Sequence, residues 1–484
     1  MNIDFAADFD LAAEEPFGLL IGGQWTRRSA DIDVKNPFDG ERVAVVTAGR
    51  PEDVETAVGA AEAALAHEFP AHARYDVLMR AADRIEATQD EYAWAIAREG
   101  SKTIREARRE PPRAATILRL AAEEGRRLAG ETLPFDSRAG SENRVGYYFR
   151  FPAGIVAAIT PFNDPLAMVA HKAGPAIAAG NAVVLKPSSA TPLSALRFAA
   201  DLLAAGLPSG RLNIVTGAGE VLGPALVTDP RVRVVTFTGG VATGEEITRL
   251  AGIKKLSMEL GSNSPVIVLA DADLLRAVPA VVSGAFAQAG QNCLGVQRVF
   301  VHEAVYDRFR QRLLEQTGRL RSGWSLDEET DVCAMINERQ ARRLESWIQE
   351  AASHGARVLV GGRRDGAVLW PTVLEDVPRG TRLDRDEAYG PVVSLYRVSS
   401  LDQAIDRANA VSYGLHAAIF TESLRDTFSA VRRLAVGAVI VNDSTDYRLD
   451  VMPFGGTKNS GVGREGVRFA IQEMTETRVV CLNL

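Results

Sequence analysis

The chain has 484 residues, which is long for a single hydrophobic core and predicts two or three domains. Hydrophobic residues make up 46% of it and charged residues 24%, an ordinary globular mixture. The formal net charge of −7 argues against a dedicated nucleic-acid surface, because such a surface needs clustered basic residues.

The amino terminus lacks the charge pattern of a targeting segment. Its first seventeen residues contain five carboxylates and no Lys or Arg, whereas secretory and transit peptides carry basic residues. No apolar run in the chain reaches the length of a membrane span. We therefore expect a cytoplasmic protein that binds neither nucleic acid nor a membrane.

The three cysteines and six histidines are too scattered to predict a disulfide framework or a metal site. His67 and His72 are close in sequence, but no cysteine or carboxylate cluster completes a ligand set around them. We expect no bound metal.

The first half of the chain passes from helices to an alternation of strands and helices. Up to about residue 125 the pattern is mostly helical, with strands near FGLLIGGQW and RVAVVTAG. From about residue 150, helices separate short strands that are apolar throughout: GIVAAIT, NAVVLKP, RLNIVTG and VRVVTFTGG. Such strands predict a parallel sheet covered on both faces. The result is a doubly wound α/β domain, whose ligands bind beyond the carboxyl ends of its strands.

A second alternation begins near residue 265 with PVIVLAD and ends with AVIVND. The predicted strands between them are QRVFVH, ARVLVGG, YGPVVSLYRV and HAAIFT, and the predicted helices are AVYDRFRQRLLEQ, ARRLESWIQEAASHG, LDQAIDRANA and LRDTFSAVRRLA. This pattern predicts a second α/β unit of roughly 170 residues, with a boundary near residue 257. The chain shows no internal repeat and no low-complexity segment.

The stretch VVTFTGGVATGEEITRLAG is predicted to be a strand, a glycine-rich turn and the start of a helix. Gly239, Gly240 and Gly244 would let the backbone approach a pyrophosphate at the helix N-terminus. The G-G-x-x-x-G spacing is not the usual dinucleotide spacing, so a tight turn without a ligand is the alternative. Lys186, at the carboxyl end of a buried strand, points into the same crevice or is a surface lysine.

Cys293 lies in AQAGQNCLGV, a break rich in Gly, Gln and Asn between a helix and a strand. Free cysteines are usually buried and inert, and we interpret Cys333 and Cys481 as structural residues. Catalytic groups concentrate in loops on rigid scaffolds, and this setting favours Cys293 as a nucleophile. A free thiol has a pKa of about 8.5, so such a nucleophile needs local activation.

Two polar residues beside strands are candidate partners of this cysteine. Glu259 lies in a Gly/Ser/Asn loop just before a buried strand, where a carboxylate is either a base or a turn residue. Asn163 follows a strand in ITPFNDP, and its amide either donates to an oxyanion or caps the next turn.

Seven stretches together resemble the aldehyde dehydrogenase superfamily. They occur in that family's order and at its separations, from about residue 18 to the carboxyl terminus: ITPFNDP, KPSSATP, FTGGVATG, MELGSNSP, GQNC, EAYGPVV and MPFGGTKNSGVGREG. The resemblance implies an α/β fold with two doubly wound parallel-sheet domains, one for the cofactor and one catalytic, plus a small β oligomerisation arm. It places the cofactor domain at 1–129 and 148–257, the catalytic domain at 258–440, the arm and C-terminal strand at 130–147 and 470–484, and a loop and helix segment that lines the substrate tunnel at 441–469.

The resemblance also implies a reaction, the oxidation of an aldehyde to the free carboxylic acid. Cys293 would attack the carbonyl, while the Asn163 amide and the Cys293 N–H would form an oxyanion hole. After hydride transfer to the nicotinamide, Glu259 would activate water to hydrolyse the thioester. Relatives that transfer the acyl group to coenzyme A lack this glutamate. Lys172 would support the catalytic loop.

The cofactor implied by the resemblance is NAD or NADP. Lys186 would hold the adenine ribose and Glu387 the nicotinamide ribose, with Tyr389 packing against the ring. NAD-preferring members often carry a glutamate where this chain has Ser189, so we expect NADP to be tolerated. Gly240 replaces the serine that is usual in the glycine-rich turn. Further cofactor contacts are expected at Ile159, Thr160, Pro161, Phe162, Ser188, Gly219, Gly223, Phe237, Thr238, Gly239, Gly244 and Leu260.

The substrate region, NDSTDYRLDVMPFGG with FNDP and AHK, is most similar to a branch that acts on small polar aldehydes. Lactaldehyde, sulfolactaldehyde and phosphonoacetaldehyde dehydrogenases belong to that branch. Asp164 and His171 replace aromatic residues found in many members, which implies a less apolar tunnel. Asn292 stands where phosphonate-specific members have an arginine, and Leu294 offers no charge.

Arginines are the candidates for holding an anionic group of the substrate. We expect Arg448, Arg108 or Arg113 to do so, and the alternative is that they are surface charges or interface ion pairs. The Pro111–Pro112 pair is expected to break a helix at the substrate entrance.

Three other functions are compatible with the residues. The same mechanism could act on a bulkier aliphatic or aromatic aldehyde, the chain could be a reductive or acylating member, or it could be a non-catalytic structural relative. The stretches GETLPFDSRAGSENRVGYYFRFP and TETRVVCLNL match the family's arm and terminal strand and imply a homo-oligomer, either a dimer or a tetramer.

Overall fold

The computed structural model describes residues 17–484, and the first part of this range forms two small hairpins followed by helices. Residues 1–16, which carry the acidic segment of our targeting prediction, lie outside the described residues. The elements are β1 (Leu19–Ile21), β2 (Gln24–Thr26), β3 (Asp31–Lys35), β4 (Arg42–Thr47), α1 (Pro51–Leu65), α2 (Ala71–Ala87), α3 (Gln89–Glu99), α4 (Ile104–Ala107) and α5 (Glu110–Arg126).

Strands and helices alternate from residue 132 onward. The first group is β5 (Thr132–Leu133), β6 (Arg144–Pro152), β7 (Ile155–Ile159), α6 (Ala167–Ala178), β8 (Ala182–Lys186), α7 (Leu193–Ala204), β9 (Leu212–Ile214), α8 (Gly219–Thr228), β10 (Val232–Thr238), α9 (Val241–Ala251) and β11 (Lys255–Glu259). The second group is β12 (Ser264–Val268), α10 (Leu274–Phe286), β13 (Val296–His302), α11 (Glu303–Thr317), α12 (Glu338–Ser353), β14 (Arg357–Val360), β15 (Arg364–Asp365), β16 (Val368–Leu369), β17 (Thr372–Glu375), α13 (Arg382–Arg385), β18 (Val392–Val398), α14 (Leu401–Asn409), β19 (His416–Phe420), α15 (Leu424–Arg433), β20 (Ala438–Val441), β21 (Gly461–Val462), α16 (Val467–Glu473) and β22 (Thr475–Asn483). Short 3₁₀ segments occupy 135–137, 287–290 and 458–460.

The first sheet has the strand order β2-β1-β9-β8-β7-β10-β11-β21. Its five central strands are parallel, and the antiparallel strands lie at the two edges. Alternate residues of β7 face opposite sides: Val156 packs with α2, α5 and α6, whereas Ala157 packs with α1, α8 and α9. Helices therefore cover both faces, which confirms the doubly wound fold.

The second sheet has the order β14-β17-β18-β13-β12-β19-β20 and is parallel except at β14. Its inner strands are buried in a single apolar cluster with α10, α11 and α12, whereas the edge strands β14 and β20 are partly exposed. A third, antiparallel sheet, β22-β6-β5, joins the C-terminal strand to the arm segment. The arm strand β6 runs past residue 147 to Pro152, farther than predicted.

Two local predictions need correction. The boundary near residue 257 falls inside β11, and Glu259 is the last residue of that strand and not part of the following loop. The Pro111–Pro112 pair does not break a helix, because α4 has already ended at Ala107 and the prolines occupy the first turn of α5. Proline is tolerated there because a first-turn N–H has no intrahelical acceptor.

The parallel strands of the first sheet end along one edge. Ile159, Lys186, Thr238 and Glu259 are the last residues of β7, β8, β10 and β11. The edge therefore collects the residues that the sequence singled out. Within residues 17–484, none of the helices has the length and apolar character needed to cross a membrane.

Candidate active site

A cavity of about 1430 Å³ opens at this strand edge and is lined by strand ends of the first sheet and by loops and helices that adjoin the second sheet. It contains Cys293, Glu259 and Asn163, which the sequence predicted as partners although they are far apart along the chain. Lys172 does not line it. The cavity extends from these residues to Lys186 and the glycine-rich turn.

The loop before Cys293 has an unusual backbone. Gln288 and Ala289 adopt φ angles of 55° and 52°, a left-handed conformation that non-glycine residues rarely adopt. Gly290 approaches the chain at Gly390 so closely that a Cβ would lie 2.2 Å from the Gly390 carbonyl oxygen. Strained residues that persist are held by their surroundings and are often found at functional sites.

The Cys293 side chain is half-buried and packs against Leu294, Leu415 and Phe454. The Asn292 side-chain oxygen accepts a 2.9 Å hydrogen bond from Leu294 N, which holds the turn around the cysteine. Burial raises the pKa of the Cys293 thiol, and the positive charge of Arg448 opposes that rise. The thiol is therefore neutral in the resting site and needs a base or a local rearrangement to react.

Asn163 is 6% exposed and follows β7. Within residues 17–484, neither its side-chain amide nor the backbone N–H of Cys293 donates a hydrogen bond to the protein. Two unengaged donors in one cavity are a suitable arrangement for an oxyanion. The neighbouring Phe162 ring packs edge-on against Tyr389, with the ring centroids 5.8 Å apart.

Glu259 is 2% exposed, and neither carboxylate oxygen has a hydrogen-bond partner in the described part of the chain. Burial and the nearby charge of Glu465 raise the pKa of Glu259. The Glu259 main-chain oxygen accepts a 3.0 Å bond from Gly239 N, which ties the base to the glycine-rich turn. A buried carboxyl group without partners is free to exchange a proton with a bound molecule.

Glu465 is a site residue that the sequence analysis missed, although it belongs to the quoted GREG motif. Its Oε1 accepts a 2.8 Å hydrogen bond from Lys172 Nζ, which also donates to Thr236 Oγ1 at 3.1 Å. Although burial raises the pKa of Glu465, Lys172 and Arg448 hold it at about 2. Lys172 thus acts on the cavity through Glu465.

Arg448 lines the cavity beside the cysteine, and its guanidinium lies 3.6 Å from the centroid of the Phe454 ring. Its Nη2 donates to Glu465 Oε2 at 3.4 Å, whereas its buried Nε has no hydrogen-bond partner in the described residues. The cation is therefore largely neutralised by Glu465, and its buried Nε–H is left unused.

The substrate side of the cavity is bordered by two charged clusters. In the first, Lys102 pairs with both Glu110 and Asp164. In the second, Asp450 Oδ1 accepts hydrogen bonds from Arg113 Nη2 and His171 Nε2, each at 2.9 Å. These pairings leave little free charge on Arg113 or Lys102.

Two predicted substrate residues do not border the cavity. His171 is fully buried behind Asp450, and burial lowers the pKa of its imidazole to about 4, so it is a neutral packing residue. Arg108 lies outside and forms an exposed ion pair of 2.6 Å with Glu328. Asn292, Leu294, Arg113 and Arg448 do line the cavity.

The next residue, Arg109, lines the cavity where Arg108 was predicted to do so. It is exposed, and within residues 17–484 its guanidinium makes neither an ion pair nor a hydrogen bond. Sequence alone did not distinguish it from its neighbours in the arginine-rich stretch.

The other end of the cavity fits a dinucleotide. A Cβ added to Gly223 or Gly240 would meet nothing within 4 Å, so both glycines face open space that a ligand can fill. Lys186 is 5% exposed and donates a 2.8 Å bond to Pro187 O. All the predicted cofactor contacts line this cavity except Gly244: Ile159, Thr160, Pro161, Phe162, Lys186, Ser188, Ser189, Gly219, Gly223, Phe237, Thr238, Gly239, Gly240, Leu260, Glu387 and Tyr389.

Gly244 has a packing role instead, because a Cβ there would lie 2.6 Å from Leu260 Cδ2. Glu387 Oε1 accepts a 2.7 Å bond from Ser262 N, and burial raises the pKa of Glu387 to about 7. The carboxyl group of Glu387 is thus available to a hydroxyl on a bound ribose in either protonation state.

Comparison with known proteins agrees with this geometry. Residues 25–480 match the model of the aldehyde dehydrogenase family. The 3-sulfolactaldehyde dehydrogenase of Priestia aryabhattai is 44% identical over 474 residues, which cover 98% of this chain and 99% of that protein. Aspartate-semialdehyde dehydrogenase 1 of Pseudomonas canavaninivorans is 48% identical over 457 residues, which cover 94% of this chain and 97% of that protein.

Solved structures share the whole fold. The NADP-dependent glyceraldehyde-3-phosphate dehydrogenase from Bacillus halodurans C-125, crystallised with NADP, superposes with a TM-score of 0.95 at 36% identity. The match covers 97% of this chain and 100% of that one.

Proposed function

Because the chain belongs to the aldehyde dehydrogenase family and is an NAD(P)-dependent oxidoreductase, we propose that it oxidises a small anionic aldehyde to the free carboxylic acid. The observation that carries this proposal is the cavity that holds Cys293, Asn163 and Glu259 together beside the glycine-rich turn. NAD or NADP fits the far end of that cavity.

In the first step, the Cys293 thiol loses its proton to solvent, and its sulfur adds to the aldehyde carbonyl to form the oxyanion of a thiohemiacetal. The Asn163 amide and the Cys293 N–H then donate to the oxygen, whose negative charge develops in the transition state. Both donors have no other acceptor in the described chain, so no existing bond has to break.

In the second stage, NAD or NADP held near Glu387 and Tyr389 would supply the acceptor for a hydride from the former aldehyde carbon, and Cys293 would then carry the acyl group as a thioester. Glu259 removes a proton from water, the water oxygen attacks the thioester, and the thiolate leaves. The resulting carboxyl proton is released to solvent. Glu465, held in place by Lys172, keeps a negative charge near Glu259 that raises the pKa of Glu259, whereas the positive charges of Arg448 and Lys172 act in the opposite direction.

The presence of Glu259 supports hydrolysis over transfer of the acyl group to another acceptor. An acylating enzyme has to keep water from the thioester, whereas a buried, unpartnered carboxyl group at the site activates water. The product is thus the free acid.

An anionic substrate is supported by Arg109, the cavity-lining arginine that has no acceptor in residues 17–484. Arg113 and Arg448 are already paired with Asp450 and Glu465. The names of the relatives agree, since sulfolactaldehyde, aspartate semialdehyde and glyceraldehyde 3-phosphate each carry an anionic group. Arg109 would bind the anionic end while the aldehyde reaches Cys293.

We also propose that the domains divide as the resemblance implied, with the first domain ending at Glu259. We further propose that the chain forms a homo-oligomer through β6 and β22. Apolar side chains stand exposed on these strands, among them Val145, Phe149, Val479 and Leu482. Light scattering coupled to gel filtration measures the mass directly.

A turnover screen tests the proposed function. The substrates are lactaldehyde, sulfolactaldehyde, phosphonoacetaldehyde, succinic and aspartate semialdehydes, glycolaldehyde, and simple aliphatic and aromatic aldehydes, each with NAD and with NADP. We expect the highest kcat/KM for an aldehyde with a carboxylate or sulfonate. A clear preference for an uncharged, bulky aldehyde would contradict the proposed substrate class.

Cys293→Ala tests the mechanism in the same assay. Loss of the nucleophile should lower kcat by at least about a thousandfold, because no covalent intermediate can form. Cofactor binding should be retained. Cys481→Ser, which changes the exposed cysteine of β22, is the matched control and should turn over normally. Unchanged turnover by Cys293→Ala would exclude the mechanism.

A further inference from the structure

Glu220 is a cavity-lining carboxylate at the cofactor end that none of the family motifs contains. It occupies the first turn of α8, next to Gly219. We propose that Glu220 works with Lys186 to bind the ribose hydroxyls of the adenosine and thereby selects NAD over NADP. This inference rests on the proposed function, because it concerns the cofactor of that reaction.

The contacts around Lys186 bring α8 to the ribose end of the cavity. A Cβ on Gly219 would lie 3.8 Å from Lys186 Cε, so the start of α8 touches the lysine side chain. Ser189 Oγ donates a 2.7 Å hydrogen bond to Gly217 O, which anchors the turn that leads into α8. The turn is therefore fixed where Glu220 and Lys186 both reach the cavity.

The two charges are available to a ligand. Glu220 is exposed and forms neither a hydrogen bond nor an ion pair within the described part of the chain. Among residues 17–484, Lys186 has a single acceptor, Pro187 O, so two of its three N–H donors remain for a ligand. Burial lowers the pKa of Lys186 to about 8, and the negative charge of Glu220 acts in the opposite direction.

A cation and an anion facing one site suit a vicinal diol. The lysine donates to a hydroxyl oxygen, and the carboxylate accepts a hydroxyl proton. A phosphate on the 2′ oxygen has no proton to give in its dianionic form and carries a charge of about −1.5 to −2. Glu220 would repel it, whatever space Ser189 leaves.

Ser189 therefore permits a 2′-phosphate sterically, whereas Glu220 opposes it electrostatically. The carboxylate that other members place three residues after the lysine would be supplied here from the start of α8. The sequence motif around Lys186 does not contain this group, so cofactor preference cannot be inferred from that motif alone.

The test is a binding titration of the protein with NADH and with NADPH. Binding is monitored by the fluorescence of the reduced nucleotide, and no aldehyde is present. Wild-type protein should bind NADH at least about tenfold more tightly than NADPH, as expected for one like-charge contact near the protein surface. Glu220→Gln should tighten NADPH binding by about tenfold and change NADH binding less than about threefold.

Glu245→Gln is the matched control, because it removes a neighbouring exposed carboxylate on α9 that does not line the cavity. It should leave both affinities unchanged. Equal binding of the two nucleotides by the wild type, or an unchanged ratio in Glu220→Gln, would overturn the inference alone. Failure of wild-type protein to bind either nucleotide would contradict the proposed function as well.

Discussion

Gln288 Nε2 donates a 3.1 Å hydrogen bond to Asp164 Oδ1, and this contact joins the loop before Cys293 to the loop that carries Asn163. Asp164 is in turn held by the buried ammonium of Lys102. The proposed nucleophile and its proposed oxyanion donor are therefore positioned by one shared anchor, even though their loops adjoin different sheets.

Replacing Gln288 with Leu removes this link without removing a charge. We expect kcat to fall by about tenfold, because a shift of the cysteine relative to the oxyanion donor weakens catalysis steeply. The dissociation constant for NADH should stay within twofold of the wild type, since Gln288 lies far from the adenine end. An unchanged kcat, together with an unchanged rate of Cys293 alkylation, would show that the link does not position the cysteine.

Glu259→Gln separates acylation from hydrolysis. Because an amide cannot take a proton from water, the first turnover should proceed and the thioester should then accumulate. Stopped-flow absorbance should show a burst close to one equivalent of reduced cofactor, followed by a steady state at least about a hundredfold slower than wild type.

The steady-state rate of the wild type should rise with pH, because Glu259 has to be ionised before it can take a proton from water. Burial raises the pKa of Glu259, so the fraction of active carboxylate grows as pH increases above the usual carboxyl range. Glu259→Gln should lose that dependence. A burst-free variant with normal turnover would exclude Glu259 as the base.

The main sheet and most of the cavity wall could be predicted from the sequence, because they depend on local patterns. Continuous apolar strands that end at Ile159 and Lys186 identify parallel neighbours, and parallel neighbours end at one edge. The antiparallel strand β21 could not be predicted in the same way. It has two residues, and its partner β11 lies about two hundred positions earlier in the chain.

The charged clusters could not be predicted from the sequence. Lys102, Asp164 and Gln288 each look like an ordinary polar residue in its own segment, and their contact exists only after both sheets have formed. Glu465 is a similar case, since its partner Lys172 belongs to α6, far earlier in the chain. Local patterns do not encode such pairings.

The arginine-rich stretch shows how sensitive a site prediction is to helix boundaries. The α4 helix ends at Ala107 and α5 begins at Glu110, so Arg108 and Arg109 fall in the break between two helices. Adjacent side chains there point in different directions. Arg108 forms an ion pair with Glu328, whereas Arg109 lines the cavity.

Arg109→Met and Arg108→Met form a matched pair of neighbouring substitutions. Arg109→Met should raise KM for an anionic aldehyde such as succinic semialdehyde by about tenfold or more, the effect of losing a charge-assisted hydrogen bond. With butanal, which has no anionic group, KM should change less than about threefold. Arg108→Met should behave as wild type with both substrates.

A uniform loss of activity toward butanal and succinic semialdehyde would mean that Arg109 supports the fold and does not bind substrate. An effect at Arg108 equal to that at Arg109 would show that the stretch acts only through its overall charge. Either result would remove the support that Arg109 gives to an anionic substrate.

The buried ion pairs predict how stability depends on pH. Lys172 and Arg448 hold the pKa of Glu465 at about 2 against the opposing effect of burial, and Lys102 does the same for Asp164. A carboxylate with a lowered folded-state pKa contributes stability that is present above its unfolded pKa of about 4 and is lost as pH falls towards 2. Each group is expected to contribute about 2–3 kcal/mol.

Urea unfolding between pH 6 and pH 2.5 measures this directly. The free energy of unfolding should fall steeply below about pH 4, because these carboxyl groups bind protons in the unfolded chain while they are still ionised in the folded chain. Glu465→Gln should be less stable at pH 6, because Lys172 is left buried without its partner, but its stability should fall less between pH 4 and pH 2.5. If the unfolding free energy changed equally with pH in wild type and variant over that range, Glu465 would not remain ionised in the folded protein. The fixed negative charge beside Glu259 would then have to come from another group.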